Sequence, residues 1–177
     1  MTTIREAVEA AEKIDGWMNE AELTWLAEKA SEKSQIVEMG CFKGRSTKAL
    51  ALSTAGTVIA VDFWVGDMRT QIYPEFCRNL AYEIATHKVI VHRGFTAELA
   101  RQWVYSLRPD MVFIDADHSY EAVTEDIAAA MALLQPGGLL CGHDFSNDYP
   151  GVQRAVAELV PHFRRVPGGD IWWKEIH

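Results

Sequence analysis

Ile36-Val37-Glu38-Met39-Gly40-Cys41-Phe42-Lys43-Gly44-Arg45-Ser46-Thr47 is an apolar β-type run that reaches a carboxylate and then a turn bracketed by two glycines. A helical pattern follows through Leu52. Strand, glycine turn and helix, in that order, is how an open α/β sheet raises backbone N–H groups toward a nucleotide-like ligand. The dinucleotide fingerprint G-x-G-x-x-G is missing, because Gly40 and Gly44 stand four apart with bulky Cys41 and Phe42 between them. A pyrophosphate would be crowded there. The loop suits a ligand without phosphates and speaks against a dinucleotide-dependent oxidoreductase.

Upstream, Ile4, Val8, Ala11 and Ile14 predict an amphipathic helix over 3–14, broken by Asp15-Gly16-Trp17-Met18. A second helix over 19–31 has Asn19 as its N-cap. Downstream the chain alternates. Strands are predicted at 35–39, 57–61, 88–92, 111–114 and 139–141, with helices over 45–54, 71–86, 96–106, 121–134 and 150–161. Two short strands near 163–166 and 170–175 surround Gly168-Gly169 and are close enough to form a hairpin. Short apolar strands separated by helices imply α/β architecture: a doubly wound, mostly parallel sheet covered on both faces.

The 177 residues suit one domain, with 1–31 as a helical cap and 35–177 as the core. Hydrophobic residues make up 49% and charged residues 24%, a globular composition. A net charge of −8 argues against a nucleic-acid partner, since phosphate neutralisation needs a basic face. No run is long enough for a membrane span, and no apolar signal segment opens the chain. Cys41, Cys77 and Cys141 are odd in number and lack C-x-x-C spacing, so they read as reduced thiols of a cytoplasmic protein. Cys41 reads as loop packing, with a nucleophile as the alternative.

Ligands of such sheets sit beyond the carboxyl ends of the strands. Glu38, Asp62, Asp115 and His143-Asp144 all fall there. Asp62 suits ribose hydroxyls, or else caps a sheet end. Glu38, in a buried strand, needs a partner: a cationic ligand group, a backbone N–H, or Lys43 or Arg45. Asp115-Ala116-Asp117-His118-Ser119 and His143-Asp144 bring carboxylates and imidazoles to one rim. The oxygen-rich set suits Mg²⁺ or another divalent cation, and His118 suits a general base. The bland alternative makes Asp117 and Ser119 helix caps and the histidines incidental. Trp25, Trp103, Trp172 and Trp173 read as core or sheet-face residues; Trp17 and Trp64 fall in loops near the strand tips, where Trp64 either covers a ligand or packs on its own loop.

The run Val37 to Thr47 resembles the first motif of class I S-adenosylmethionine-dependent methyltransferases, in the wording of the small-molecule O-methyltransferase branch. Val58 to Asp62 is similar to the second motif, and Phe113 to Tyr120 and Pro136 to Asp144 are similar to the fourth- and fifth-strand motifs. Gly16-Trp17 resembles that branch's N-terminal gate. The resemblance implies strand order 3-2-1-4-5-7-6 and S-adenosylmethionine as cofactor. It implies a cofactor site drawn from Glu38, Gly40, Cys41, Phe42, Gly44, Ser46, Thr47, Asp62, Phe63, Trp64, Gly94, Phe95, Asp115 and His118. Glu38 and Gly40 would face the methionine part, and Asp62 the ribose. An acid often follows the glycine after strand 3 in related enzymes. Here Phe95 follows Gly94, so the hydrogen bond to the adenine amino group must come from elsewhere. Counting from the shared runs places Asp115, His143 and Asp144 at the metal positions and His118, with Asp115, at the catalytic ones. His143 stands where that family carries Asp. The implied reaction is methyl transfer to a hydroxyl of a small-molecule acceptor, sugar or polyketide-like. With few insertions, acceptor specificity must come from the first ~30 residues, the 63–70 loop, or a second subunit of a homo-oligomer.

Overall fold

The computed structural model describes residues 2–64, 71–96, 98, 102 and 107–176. Most of the helix expected over 96–106, including Trp103, and most of the 63–70 loop lie outside them.

Seven strands form one sheet of order β3-β2-β1-β4-β5-β7-β6. They are β1 (Gln35–Met39), β2 (Thr57–Asp62), β3 (Val89–Arg93), β4 (Met111–Ile114), β5 (Leu139–Gly142), β6 (Arg164–Arg165) and β7 (Trp172–Glu175). The first five run parallel, and β7 pairs antiparallel with β5 and with β6. The expected hairpin therefore inserts β7 between β5 and the edge strand β6. Register sets Met39 beside Val61 and Ile114, so the ends of β1, β2 and β4 lie level.

The helices whose bounds fall within the described residues are α1 (Ile4–Ala11), α2 (Glu20–Ser31), α3 (Arg45–Ser53), α4 (Ile72–Asn79), α5 (Ala81–Ala85), α6 (Tyr120–Leu133) and α7 (Pro150–Leu159). The segment read as one helix over 71–86 is two, α4 and α5, divided at Leu80. Alternate strand residues separate into two cores, as period-2 side-chain geometry requires. Ile36, Val58, Met111 and Phe113 pack with α1–α3 on one face; Val37, Val61, Val112 and Leu140 pack with α6 and α7 on the other. Trp172 is fully buried, and Trp25 packs its ring 6.0 Å from that of Trp173. No helix among the described residues is long and apolar enough to cross a membrane.

Candidate active site

The chain crosses from β1 into α3 through a loop that Asp62 fastens at two backbone N–H groups. Its Oδ2 accepts the N–H groups of Cys41 and Phe42 at 2.8 and 2.9 Å, and its Oδ1 accepts the N–H of Trp64 at 2.7 Å. The loop needs that support, because Phe42 (φ 46°) and Trp64 (φ 45°) both occupy the left-handed region that side chains disfavour. Gly40 (φ 86°) is required for a second reason: a Cβ there would stand 2.0 Å from the Asp115 carbonyl oxygen. Backbone therefore meets backbone where β1 and β4 end. A carboxylate offers about four lone pairs, so Asp62 holds the loop and keeps capacity for a ribose hydroxyl.

A cavity of about 1150 Å³ opens above these strand ends. That exceeds the 300–1,000 Å³ of an ordinary small-molecule pocket and leaves room for two ligands side by side. Of the residues expected to bind cofactor, Gly40, Cys41, Phe42, Ser46, Asp62, Phe63, Trp64, Gly94, Phe95, Asp115 and His118 line it. Glu38, Gly44 and Thr47 are not among its lining residues. Gly44 faces Leu80 and Phe76, where a Cβ would come within 2.3 Å of the Leu80 side chain. Glu38 is wholly buried; its Oε1 accepts from Ser46 Oγ at 2.5 Å, and its Oε2 has no partner. Lys43 pairs instead with Asp15 and Glu75, and Arg45 donates to the Ile14 carbonyl. Burial pushes the Glu38 carboxyl up to about 7.

Cys41 is buried, and desolvation beside Glu38 and Asp62 pushes its thiol up, the opposite of what a nucleophile needs. Trp64 packs on Tyr73 and Phe76 and donates its indole N–H to the Phe42 carbonyl, bracing the loop while still forming wall. Phe63 and Phe95 stack on each other with centroids 4.4 Å apart. Trp17 lies 80% exposed at the cavity mouth, its ring 4.7 Å from that of Phe42.

The ends of β4 and β5 carry the ionisable groups. His118 Nε2 is 2.8 Å from Asp144 Oδ2, and the His118 ring packs on Tyr149. Asp144 takes a left-handed backbone (φ 61°). Asp117 and Ser119 are caps, as the bland reading has it: Asp117 accepts the Ser119 N–H, and Ser119 accepts the Ala122 N–H. His118 and Asp115 have no such duty.

His143 faces carboxylates from both of its ring nitrogens. Its Nε2 donates to Glu22 Oε1 at 3.0 Å, and its Nδ1 lies 3.2 Å from Asp144 Oδ1 and 3.7 Å from Asp115 Oδ1. Burial alone would lower its pKa, but the bonds to Asp144 and Glu22 and the charges of Asp115 and Asp144 push it up to about 10. The ligand atoms that do converge belong to Asp115, His118 and Asp144, within 4.8 Å of one another. Desolvation pushes Asp115 up to about 8, while hydrogen bonding and charge from His143 outweigh burial to hold Asp144 below the usual range. Glu22 escaped the sequence reading because it looks like an ordinary capping-box acid on α2; it accepts the Asn19 N–H but also reaches His143 and the Asp170 N–H.

The family model described as a methyltransferase domain matches residues 37–145, more than half of the chain. The chain belongs to the methyltransferase family. Within it, the strand order and the motifs place this methyltransferase among the class I enzymes that use S-adenosylmethionine. Similar solved structures agree on the fold. An O-methyltransferase from Bacillus cereus in complex with SAH is 20% identical, covers 98% of this chain and 89% of its own, and superposes with a TM-score of 0.69. The O-methyltransferase TomG from Streptomyces achromogenes, in complex with SAM, is 17% identical over 98% and 89%, with a TM-score of 0.70. CalS11, a TDP-rhamnose 3'-O-methyltransferase, is 14% identical over 98% and 81%, with a TM-score of 0.67. No curated protein matches the sequence.

Proposed function

We propose that this methyltransferase moves the methyl group of S-adenosylmethionine to a hydroxyl of a small, polyhydroxylated acceptor, sugar or polyketide-like, with His118 as general base. The observation that carries the reading is the His118–Asp144 pair at the cavity rim. Asp144 is held ionised and can only accept, so the proton between them belongs to His118 Nε2. That leaves a lone pair on Nδ1, on a ring whose side chain is 41% exposed. The acceptor oxygen attacks the sulfonium methyl in line, the S–CH₃ bond breaks, S-adenosylhomocysteine leaves, and Nδ1 takes the hydroxyl proton. Asp144 stabilises the imidazolium so formed. Most of the acceleration of such a displacement comes from alignment and from deprotonating the nucleophile. Asn19, Asp117, Ser146, Asp148 and Asp170 line the cavity and offer the acceptors that hydroxyls require. The sugar acceptor in the name of CalS11 supports the same class.

A second reading is favoured by the convergence of Asp115, His118 and Asp144. Two carboxylates and one imidazole fit a divalent cation in composition, and these three residues would hold it. When bound, such an ion acidifies a coordinated hydroxyl. The two readings separate in one experiment, turnover of an acceptor library by dialysed protein with and without chelator. His118 as base predicts indifference to chelator and a His118→Ala variant slowed about 10²-fold or more with cofactor affinity intact. Loss of turnover on chelation, restored by Mg²⁺ or Mn²⁺, establishes the metal reading instead. A fully active His118→Ala enzyme refutes both.

A further inference from the structure

The family resemblance implies an acid after Gly94, where this chain has Phe95, so the acceptor for the adenine amino group lies elsewhere. We infer that Asp126 supplies it, as the residue that selects adenine over other purines. This rests on S-adenosylmethionine as the cofactor.

The adenine end of the cavity is located by what surrounds Asp62. The Asp62 carbonyl accepts the Gly94 N–H at 3.2 Å, so the turn after β3 is fastened to the ribose-facing end of β2. Phe63 follows Asp62 and Phe95 follows Gly94, and their stacked rings, 45% and 59% exposed, offer a flat apolar surface to a purine at this position. Thr96 comes next. Its hydroxyl donates to the Asp126 carboxylate, which joins the turn to α6.

Asp126 projects from the cavity face of α6. Ala122, Glu125 and Asp126 stand at i, i+3 and i+4, the spacing that shares one helix face, and all three line the cavity. Asp126 is 8% exposed. A carboxylate that far from water is costly unless bonded, and among the described residues its hydrogen-bond partner is the Thr96 hydroxyl, which leaves lone-pair positions over. The remainder suit a donor arriving with the ligand. Glu22, the other buried acid of the wall, is spent on His143, Asp170 and Asn19, away from this end.

Adenine presents an exocyclic amino group, two donors, to such a carboxylate. Hypoxanthine and guanine present a carbonyl oxygen at the same place, and acceptor would face acceptor. Asp126 therefore selects by attraction to one base and repulsion of the others, while the aromatic surface is indifferent to either.

The test is calorimetric titration of S-adenosylhomocysteine and S-inosylhomocysteine, in which a carbonyl replaces the amino group and the adjacent ring nitrogen gains a proton, with melting temperature recorded for each protein. The wild type should prefer the adenosyl compound by roughly 10- to 100-fold, the range of a hydrogen bond to a charged group. Asp126→Asn, the same size and able to donate to a carbonyl, should shrink that ratio at least tenfold, and Asp126→Ala should bring it near one. A wild-type ratio near one, or an unchanged ratio in folded Asp126→Asn, overturns the assignment of Asp126 alone. Wild-type protein that binds neither compound overturns the cofactor assignment, and this inference with it.

Discussion

Asp62 holds backbone before it holds any ligand. Three backbone N–H groups converge on it from two loops whose residues Phe42 and Trp64 hold left-handed conformations. Replacing it with Asn puts an amide NH₂ where an acceptor is needed, so at least one donor loses its partner. Asp62→Asn should cost about 1–3 kcal/mol of stability in denaturant unfolding even without cofactor, and weaken S-adenosylhomocysteine by a similar amount. A variant that binds weakly but unfolds like wild type would show that ribose contact is its only role. The position of this acid was legible, since a carboxylate ending an apolar run names a sheet end; its backbone duty was not, because left-handed φ at Phe42 and Trp64 leaves no mark in residue type. Asp126 was illegible for another reason: one acid in a helix reads as solvated until the neighbouring turn is seen to cover it.

At the scale of elements, α2 is fastened to the active site by a single side chain. Glu22 is buried, accepts from His143 and the Asp170 backbone, and caps its own helix. Burial by itself would raise its pKa, but the bonds from His143, Asp170 and Asn19 keep its carboxyl below the ordinary glutamate range. His143 keeps Asp144 and Asp115 when Glu22 is changed, so the loss falls on the hydrogen bonds that an amide cannot accept in place of a carboxylate. Glu22→Gln should therefore destabilise the protein by about 1–3 kcal/mol in urea, and hydrogen exchange should show α2 opening before the sheet does. Unchanged protection of α2 would mean that its apolar face alone holds it. Counting along β5 put His143 in a metal set because its tip position is right. Its partner Glu22 lies 121 residues away, and only the folded chain brings them together. The apolar runs and their connections, each crossover long enough for a helix, indicated a mostly parallel sheet, while the strand order came only with the family resemblance.

Across the whole molecule, the displaced titrations point one way. Glu38 is pushed up to about 7, Asp115 to about 8 and Asp126 to about 6, chiefly by burial, and His143 to about 10 by its carboxylates. In each case the folded state keeps a proton that the unfolded chain has released, so stability falls as pH rises. For the three acids the fall begins near pH 4 and ends between about 6 and 8; for His143 it runs from 6.5 to about 10. Glu22 and Asp144, held low, act oppositely and lose their contribution only in acid. Melting temperature should accordingly be higher at pH 5 than at pH 9. Glu38→Gln, neutral throughout, should remove the part of the decline between 4.5 and 7, on the order of 3 kcal/mol. A variant with the wild-type slope would show that Glu38 is ionised in the fold.

The indole of Trp17, four-fifths exposed against Phe42 at the rim of the cavity, makes the enzyme its own optical probe. Trp64 and Trp172 are already shielded from water, so a ligand entering beneath the rim changes the surroundings of Trp17 most. Its emission should move to the blue as the cavity fills, giving a label-free signal by which unknown acceptors can be sorted before any chemistry is detected.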